Sequence, residues 1–220
     1  MGGTSGCVET GAFGNEAYIL QGYFNLPKIL ELTLYDGYDH VGGHQLGLHT
    51  GFAKDFNSYE EFFEAYKKQI KYFVDIKVAG SNVIEQIFAQ YMPAPFLSIL
   101  TNDCIKKGKD YNAGGARYNT NYIQGVGIGT ITDSLAAIKY NCFDHHNFTM
   151  EELVEAMDHN FEGYDRIYHL VTHKTPKYGN DDDRADEIGV WLLKTFLEMI
   201  KKRHTYRNSE ATTSILTITS

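Results

Sequence analysis

The chain has 220 residues, of which 43% are hydrophobic and 22% charged, a composition typical of a globular domain with its own core. The net charge of −8 and the pI near 5.5, with basic residues spread along the chain, argue against a nucleic-acid-binding surface. No apolar run approaches the ~20 residues of a membrane span and the N-terminus has no signal-peptide pattern, so we expect a cytoplasmic protein without a membrane partner.

The first half of the chain is predicted to be largely helical. Residues 26–35 form the first candidate helix, and a polar loop rich in glycine and histidine follows over 38–51. Ser58 and Glu61 have the spacing of a capping box, which predicts a helix from there to about residue 78. Asn82 is a candidate cap for a second helix that ends at residue 92, and a short helix is expected over 95–103.

The second half is predicted to contain two extended segments and further helices. Glycines bracket residues 116–124, which we expect to be extended. Three helical patterns follow: the first covers 130–140, the second begins after a capping box at Thr149, and the third covers 183–203. Apolar and polar residues alternate over 213–219 as in a half-buried strand. The expected class is therefore helix-rich α/β. The abrupt start ahead of Cys7 and the final strand lead us to expect a central piece of a longer domain.

The three cysteines differ in their surroundings. Cys7, Cys104 and Cys142 are odd in number and far apart, which argues against a disulfide framework and favours a reducing compartment. We expect Cys104 and Cys142 to be buried, inert thiols. Cys7 lies among four nearby glycines, which allow a tight loop, and Glu9 follows two residues later. A thiol and a carboxylate that converge on one small ligand could transfer a hydrogen atom and a proton, respectively. A Gly-rich turn with an incidental cysteine is the alternative explanation of the same residues.

Other sequence patterns give weaker indications of a functional site. Nucleophilic catalysis by Cys7 would need a histidine close to its sulfur, and none is near it in sequence. The polar loop histidines are expected at the surface, and HLVTH (169–173) lacks the glutamate of zinc proteases, so we predict no metal site. The glycines of 125–129 do not match a dinucleotide-binding loop and favour close packing. The run Asn-Asp-Asp-Asp at 180–183 is better explained by the dipole of the following helix than by a bound cation.

Three segments resemble the glycyl radical enzymes, the pyruvate formate-lyase-like superfamily, and most closely its trans-4-hydroxy-L-proline dehydratase branch. They are GTSGCVETGAFGNEAYILQGYFNLPKILELTLYDG (3–37), GGARYNTNYIQGVGIGTITDSLAAIKYN (114–141) and KTPKYGNDDDRADEI (174–188). The specific part is Gly-Cys-Val-Glu at 6–9, because pyruvate formate-lyase carries adjacent cysteines there. The tail HTYRNSEATTSILTITS (204–220) is more similar to pyruvate formate-lyase, and we give the site motif more weight than the tail.

The resemblance implies a fold and a chemistry. Residues 1–220 would be a single partial domain, part of the second half of a ten-stranded α/β barrel. Cys7 would carry a thiyl radical that takes hydrogen from a small hydroxylated substrate such as trans-4-hydroxy-L-proline. Glu9 would accept a proton so that water leaves, and Tyr23 would line the substrate pocket. Formate acetyltransferase activity and an inactive gene remnant are the alternatives.

The resemblance also implies partners that this chain does not contain. The family stores its radical on a glycine in an R-V-x-G-Y-like motif, and no Arg-Val pair occurs in the 220 residues. No cofactor would bind directly; a radical S-adenosylmethionine activating enzyme would install the glycyl radical, and the full-length protein is expected to be a homodimer. We therefore predict that the isolated chain is inactive, exposes apolar surface and is poorly soluble.

Overall fold

The computed structural model describes residues 2–5, 9–201, 203–207 and 211–216. By their contacts these residues divide into two compact units. The first unit comprises Met1–Phe24, Val74–Val126 and Leu197–Leu216, and the second comprises Asn25–Phe73, Gly127–Phe196 and Thr217–Ser220. That the chain acts as a single domain stays a prediction. Among the described residues, no helix has the length and apolar character needed to cross a membrane.

The first unit contains a hairpin and a three-stranded sheet. Two short antiparallel strands form the hairpin, and the sheet has the strand order β3-β6-β7, with β6 and β7 parallel. The strands are β1 (Gly2–Ser5), β2 (Glu9–Ala12), β3 (Glu16–Asn25), β6 (Tyr118–Val126) and β7 (Ala211–Leu216). The extended segments near residue 120 and residue 213 are thereby confirmed, whereas β1, β2 and β3 were not predicted.

The first two helices begin where the sequence predicts, and the structure adds Asn25 as the cap of the first. In α1 (Leu26–Leu34) the Asn25 side chain accepts a hydrogen bond from the Lys28 amide, and Pro27 lies in the first turn. In α2 (Tyr59–Tyr91) the Ser58 hydroxyl accepts from the Glu61 amide at 3.1 Å. Between these helices two-residue strands pair, namely β4 (Tyr38–Asp39) and β5 (His44–Gln45).

The predicted break near Asn82 is wrong, because α2 continues without interruption to Tyr91. Asn82 does not cap a helix. Its side-chain amide donates to the His204 carbonyl at 3.2 Å and its side-chain oxygen accepts from the Tyr206 amide at 3.0 Å. A residue type that favours helix caps is therefore used here to bind a distant segment of the chain.

Most of the remaining helices are close to their predicted positions, but those over Cys104–Lys107 and Asp165–His169 were not predicted. The short helix expected over 95–103 ends earlier, at Leu100, because Thr101 has an extended backbone with φ −109° and ψ 126°. A separate one-turn helix follows Asp103, whose φ of 76° is left-handed. Thr149 and Glu152 form the predicted capping box. The helices are α3 (Pro95–Leu100), α4 (Cys104–Lys107), α5 (Ile128–Ile138), α6 (Met150–Asp158), α7 (Asp165–His169) and α8 (Asp183–Ile200).

The core of the second unit is built from the apolar faces of its helices. Burial recurs every three or four residues, the period of a helix that packs one face inward. α5 and α7 each continue into a π-helical turn, Lys139–Asp144 and Leu170–Lys174. Side chains with almost no exposed surface include Leu26, Leu32, Phe62, Tyr66, Ile70, Ile128, Ile131, Leu135, Leu192 and Phe196.

Candidate functional site

The predicted catalytic cysteine belongs to the sequence that joins the two strands of the hairpin. Backbone pairing runs from Gly2 opposite Ala12 to Ser5 opposite Glu9. The intervening residues are Gly6, Cys7 and Val8. These three lie outside the described residues, so the role predicted for Cys7 stays a prediction.

The predicted proton acceptor is the first residue of β2. Glu9 pairs through its backbone with Ser5, at the register position nearest to Cys7 in the sequence. The side chain of Glu9 lies outside the described part of the molecule, so its function also stays a prediction. The pairing nevertheless fixes the backbone of Glu9 at the end of the hairpin where Cys7 is inserted.

Hydrogen bonds from distant residues anchor the base of this hairpin. The Glu16 carboxylate accepts from the Ala12 amide at 2.9 Å and from the Thr120 hydroxyl of β6. The Asn102 amide donates to the Gly14 carbonyl at 2.7 Å. Glu16 was not identified from the sequence, and no local pattern could have identified it, since Thr120 is 104 residues away.

A glycine in β1 lies against an aromatic ring of the hairpin region. A Cβ atom added to Gly3 would lie 2.5 Å from Cε2 of the Phe13 ring, well inside van der Waals contact. Any larger residue would therefore displace this ring. The absence of a side chain at Gly3 thus allows the Phe13 ring to pack against β1.

The third predicted site residue, Tyr23, lies near the end of β3 with an exposed ring. Its exposed fraction is 61%, whereas the next residue, Phe24, is buried. Gly22, which precedes Tyr23 within β3, has a φ of +115° that only glycine adopts readily. The phenol is accessible to a ligand, but its place in a substrate pocket stays a prediction.

A buried charged cluster joins the strands of this unit, and sequence reasoning missed it. The Arg207 side chain has no exposed surface and donates to the carbonyls of Ala17 in β3 and Thr120 in β6, both at 3.2 Å. It also donates to the Asn121 side chain and lies 3.7 Å from the Glu85 carboxylate of α2. Burial lowers the pKa of the guanidinium, and the Glu85 charge opposes this effect. Arg207 therefore links β3, β6 and α2.

The other cysteines and histidines offer no comparable site. Cys104 and Cys142 are buried, as predicted, and burial raises the pKa of the Cys142 thiol to about 12. His49 bonds to Asp36 at 2.7 Å, and His169 lies 5.2 Å from His173 between ring centroids. Within the described ranges, no three His, Cys, Asp or Glu side chains are arranged to hold a metal ion.

The glycines of 125–129 and the acidic run that ends at residue 183 both have structural explanations. Gly127 has a φ of +84°, and a Cβ there would lie 2.6 Å from Cγ of Pro27, so close packing accounts for it as expected. Asp183 begins α8, and Asp182 pairs with Arg184 at 2.7 Å, so these acidic residues serve the helix terminus. The hairpin and the neighbouring β3 remain the candidate site.

Comparisons with known proteins identify the family of the chain. The profile of the family described as pyruvate formate lyase-like matches residues 1–220. Trans-4-hydroxy-L-proline dehydratase from Clostridioides difficile is 58% identical over 219 residues, covering 100% of this chain and 28% of that protein. (2S)-3-sulfopropanediol dehydratase from Klebsiella oxytoca is 33% identical, over 97% of this chain and 26% of its own length.

Solved structures agree with the sequence matches. Hydroxyproline dehydratase from Clostridioides difficile, with trans-4-hydroxy-L-proline bound, superposes with a TM-score of 0.96 at 58% identity, covering 98% of this chain and 27% of that one. The B12-independent glycerol dehydratase from Clostridium butyricum superposes with a TM-score of 0.88 at 34% identity. This match covers 94% of this chain and 26% of that one. These matches confirm the predicted fold class, a helix-rich part of an α/β barrel. The chain spans about a quarter of the length of these relatives.

Proposed function

The chain belongs to the pyruvate formate lyase-like family, and on this premise we propose that it forms the cysteine-bearing part of a glycyl radical dehydratase. The proposed substrate is trans-4-hydroxy-L-proline or a similar small hydroxylated compound. The observation that carries the proposal is the 58% identity with a hydroxyproline dehydratase over the whole chain. The Cys7-Val8-Glu9 sequence within the hairpin supports it, because a thiol and a carboxylate then lie two residues apart.

In this proposal Cys7 moves hydrogen atoms. A glycine-centred radical outside this chain supplies the initial abstraction of hydrogen from the Cys7 thiol. The sulfur then removes a hydrogen atom from the substrate carbon next to the one that bears the hydroxyl group, so that an S–H bond forms and a C–H bond breaks. After water has left, the product radical takes the hydrogen atom back from Cys7, which balances the reaction as loss of one water molecule.

Glu9 and Tyr23 have complementary roles in the same scheme. The Glu9 carboxylate takes a proton from the substrate and passes it to the departing hydroxyl, so the C–O bond breaks and water leaves. The Tyr23 phenol orients the substrate through a hydrogen bond, for which its exposed position on β3 is suitable. The surrounding protein shields the radical from water and oxidants.

The formate acetyltransferase alternative is disfavoured by the residue before Cys7. That chemistry requires two adjacent cysteines, and Gly6 occupies the second position here. We further propose that activation requires a radical S-adenosylmethionine enzyme and that the full-length protein is a homodimer. The isolated 220 residues would not turn over substrate, since their sequence contains no R-V-x-G-Y-like motif.

A chimera tests the proposed function directly. The chain replaces the matching segment of the Clostridioides difficile hydroxyproline dehydratase, and the product is activated under anaerobic conditions and assayed with trans-4-hydroxy-L-proline. We expect turnover, complete loss of turnover in Cys7→Ser, and unchanged turnover in the matched control Cys104→Ser. Turnover by Cys7→Ser, or a correctly folded and activated chimera that dehydrates no hydroxylated substrate, would refute the proposal.

The same chimera separates the roles of the other two residues. Glu9→Gln should reduce the dehydration rate by about 10²–10⁴-fold, the usual contribution of acid–base catalysis. Tyr23→Phe should mainly raise KM, because it removes a hydrogen bond but keeps the ring. Retention of the full rate in Glu9→Gln would show that Glu9 is not the proton acceptor.

A further inference from the structure

The hairpin whose connection contains Cys7 and the strand that contains Tyr23 belong to different sheets of the first unit. The hairpin consists of β1 and β2, whereas Tyr23 lies in β3, which pairs with β6. In the proposed reaction both residues act on the same substrate molecule. The geometry of the site therefore depends on the contacts that hold the hairpin against the larger sheet.

The carboxylate of Glu16 bridges these two sheets. Glu16 is the first residue of β3, and its Oε2 accepts a hydrogen bond at 2.9 Å from the amide of Ala12, the last residue of β2. Its Oε1 accepts a hydrogen bond from the hydroxyl of Thr120 in β6. Both bonds are partly buried, so water competes with them less than with bonds at the surface. One oxygen thus binds the hairpin and the other binds the larger sheet.

The turn between β2 and β3 is itself held by neighbouring segments of the same unit. The Asn102 amide donates to the Gly14 carbonyl at 2.7 Å, and the Asn102 side chain donates to the Asn15 side-chain oxygen at 2.8 Å. The amide of Tyr118, the first residue of β6, donates to the Asn15 carbonyl at 3.0 Å. The turn is therefore a fixed base, and the Glu16 side chain connects this base to the end of β2.

The hairpin can transmit a displacement from its base to its far end. Its ladder begins with the pair of Gly2 and Ala12 at the end that Glu16 binds, and Cys7 is inserted at the opposite end. At about 3.4 Å per residue, the ladder spans roughly 10 Å. The backbone hydrogen bonds make the two strands move together. A small tilt at Ala12 therefore moves the far end by a larger distance.

We propose that Glu16 is a positioning residue for the reaction, because it sets where the hairpin presents Cys7 to the substrate. The inference rests on the proposed function, in which the Cys7 sulfur removes a hydrogen atom from the substrate. Such a step needs its reacting atoms about 3–3.5 Å apart, and a displacement of about 1 Å can lower the rate about 10²-fold. Glu16 acts through the hairpin and not through contact with the substrate, so its loss should lower kcat more than it changes KM.

The chimera with the hydroxyproline dehydratase provides the test, with turnover expressed per glycyl radical counted by electron paramagnetic resonance. This count excludes protein that is misfolded or not activated. Glu16→Ala removes both bonds and should lower kcat per radical by about tenfold or more, with little change in KM. Thr120→Val keeps the shape of the side chain, removes only the bond to β6 and should also lower kcat per radical, whereas Thr120→Ser keeps the hydroxyl and should restore it. Unchanged kcat per radical in Glu16→Ala and Thr120→Val would overturn the inference.

Labelling of the Cys7 thiol with iodoacetamide separates this inference from the proposed function, because it needs no radical. In the chimera before activation, Glu16→Ala should make labelling of Cys7 severalfold faster, since the hairpin is no longer held, and buried Cys104 is the internal control. Thr149→Ala removes a hydroxyl from the second unit and should change neither this labelling nor kcat per radical. A chimera without turnover in which Glu16→Ala still speeds the labelling would contradict the proposed function alone. Equal labelling of Cys7 with and without Glu16 would show that Glu16 does not hold the hairpin and would end the inference, even if kcat falls.

Discussion

The two units of the molecule are stabilised by different kinds of interaction. In the first unit, strands that are far apart in the sequence are joined by buried polar groups, above all Arg207, Asn121 and Glu85. In the second, apolar helix faces form the core, and ion pairs such as Lys139–Asp144 are partly exposed. A buried charge is costly to leave without its countercharge, whereas an exposed pair contributes little. The first unit should therefore be sensitive to single polar substitutions that the second tolerates.

The largest effect is expected for Arg207→Met. This change removes the guanidinium from the buried Glu85 carboxylate and from the Ala17 and Thr120 carbonyls, and should lower the free energy of unfolding by about 3–5 kcal/mol. Urea denaturation measures this change in the free energy of unfolding. Arg184→Met is the control in the second unit, where the pair with Asp182 is exposed, and should leave stability unchanged within error.

A double variant distinguishes loss of the countercharge from loss of packing. If the buried charge causes the effect, Arg207→Met combined with Glu85→Leu should be more stable than Arg207→Met alone, because no charge then remains in the cluster. Additive losses would contradict this explanation. They would indicate that the cluster acts mainly by filling space between β3, β6 and α2.

A smaller loss is expected for Asn82→Ala. The change removes the two hydrogen bonds that connect α2 to residues 204–206, which should cost about 1–2 kcal/mol. Alanine also favours the helix, so Gln86→Ala, an exposed position of the same helix, provides the correction for helix propensity. Equal stabilities of the two variants in urea denaturation would show that the Asn82 contacts contribute nothing.

The second unit should respond most clearly to the loss of a local cap. Thr149→Ala removes the side-chain oxygen that accepts from the Glu152 amide at 3.1 Å and should cost about 1 kcal/mol. Thr149→Ser keeps an acceptor at the same position and should retain nearly all of the stability. If the serine variant loses as much as the alanine variant, packing of the threonine methyl group is the cause and the cap is not.

This contrast explains which parts of the fold could be predicted from the sequence. The capping boxes at Ser58 and Thr149 use residues three positions apart, so a single sequence contains the whole signal. The strands β1 and β2 form a local hairpin, and they were missed because their short sequences, GGTS and ETGA, do not alternate apolar and polar residues. The strand β3 was missed because its partner β6 lies about a hundred residues later in the chain. The burial of Arg207 was missed for the same reason: an arginine between polar neighbours normally predicts the surface.

The candidate site shows the same division. Cys7, Glu9 and Tyr23 were identified through a family resemblance, because the C-x-E spacing alone is a weak signal for chemistry. Glu16, which fastens the hairpin to β6, could not be identified in this way. Its Ala12 partner is local, but its Thr120 partner lies 104 residues away in the sequence and is close to it only in the folded sheet.

The smallest effect, a gain in stability, is expected for Gly80→Ala. Gly80 lies inside α2, its φ is not in the left-handed region, and a Cβ atom there would meet no heavy atom within 4 Å. Alanine should then stabilise the protein by about 0.5–1 kcal/mol, because it restricts the unfolded chain without introducing a clash. A loss of stability in urea denaturation would mean that α2 bends or opens near Gly80. It would then favour the helix break that the sequence predicted near Asn82. A gain would establish that α2 needs no flexible joint there.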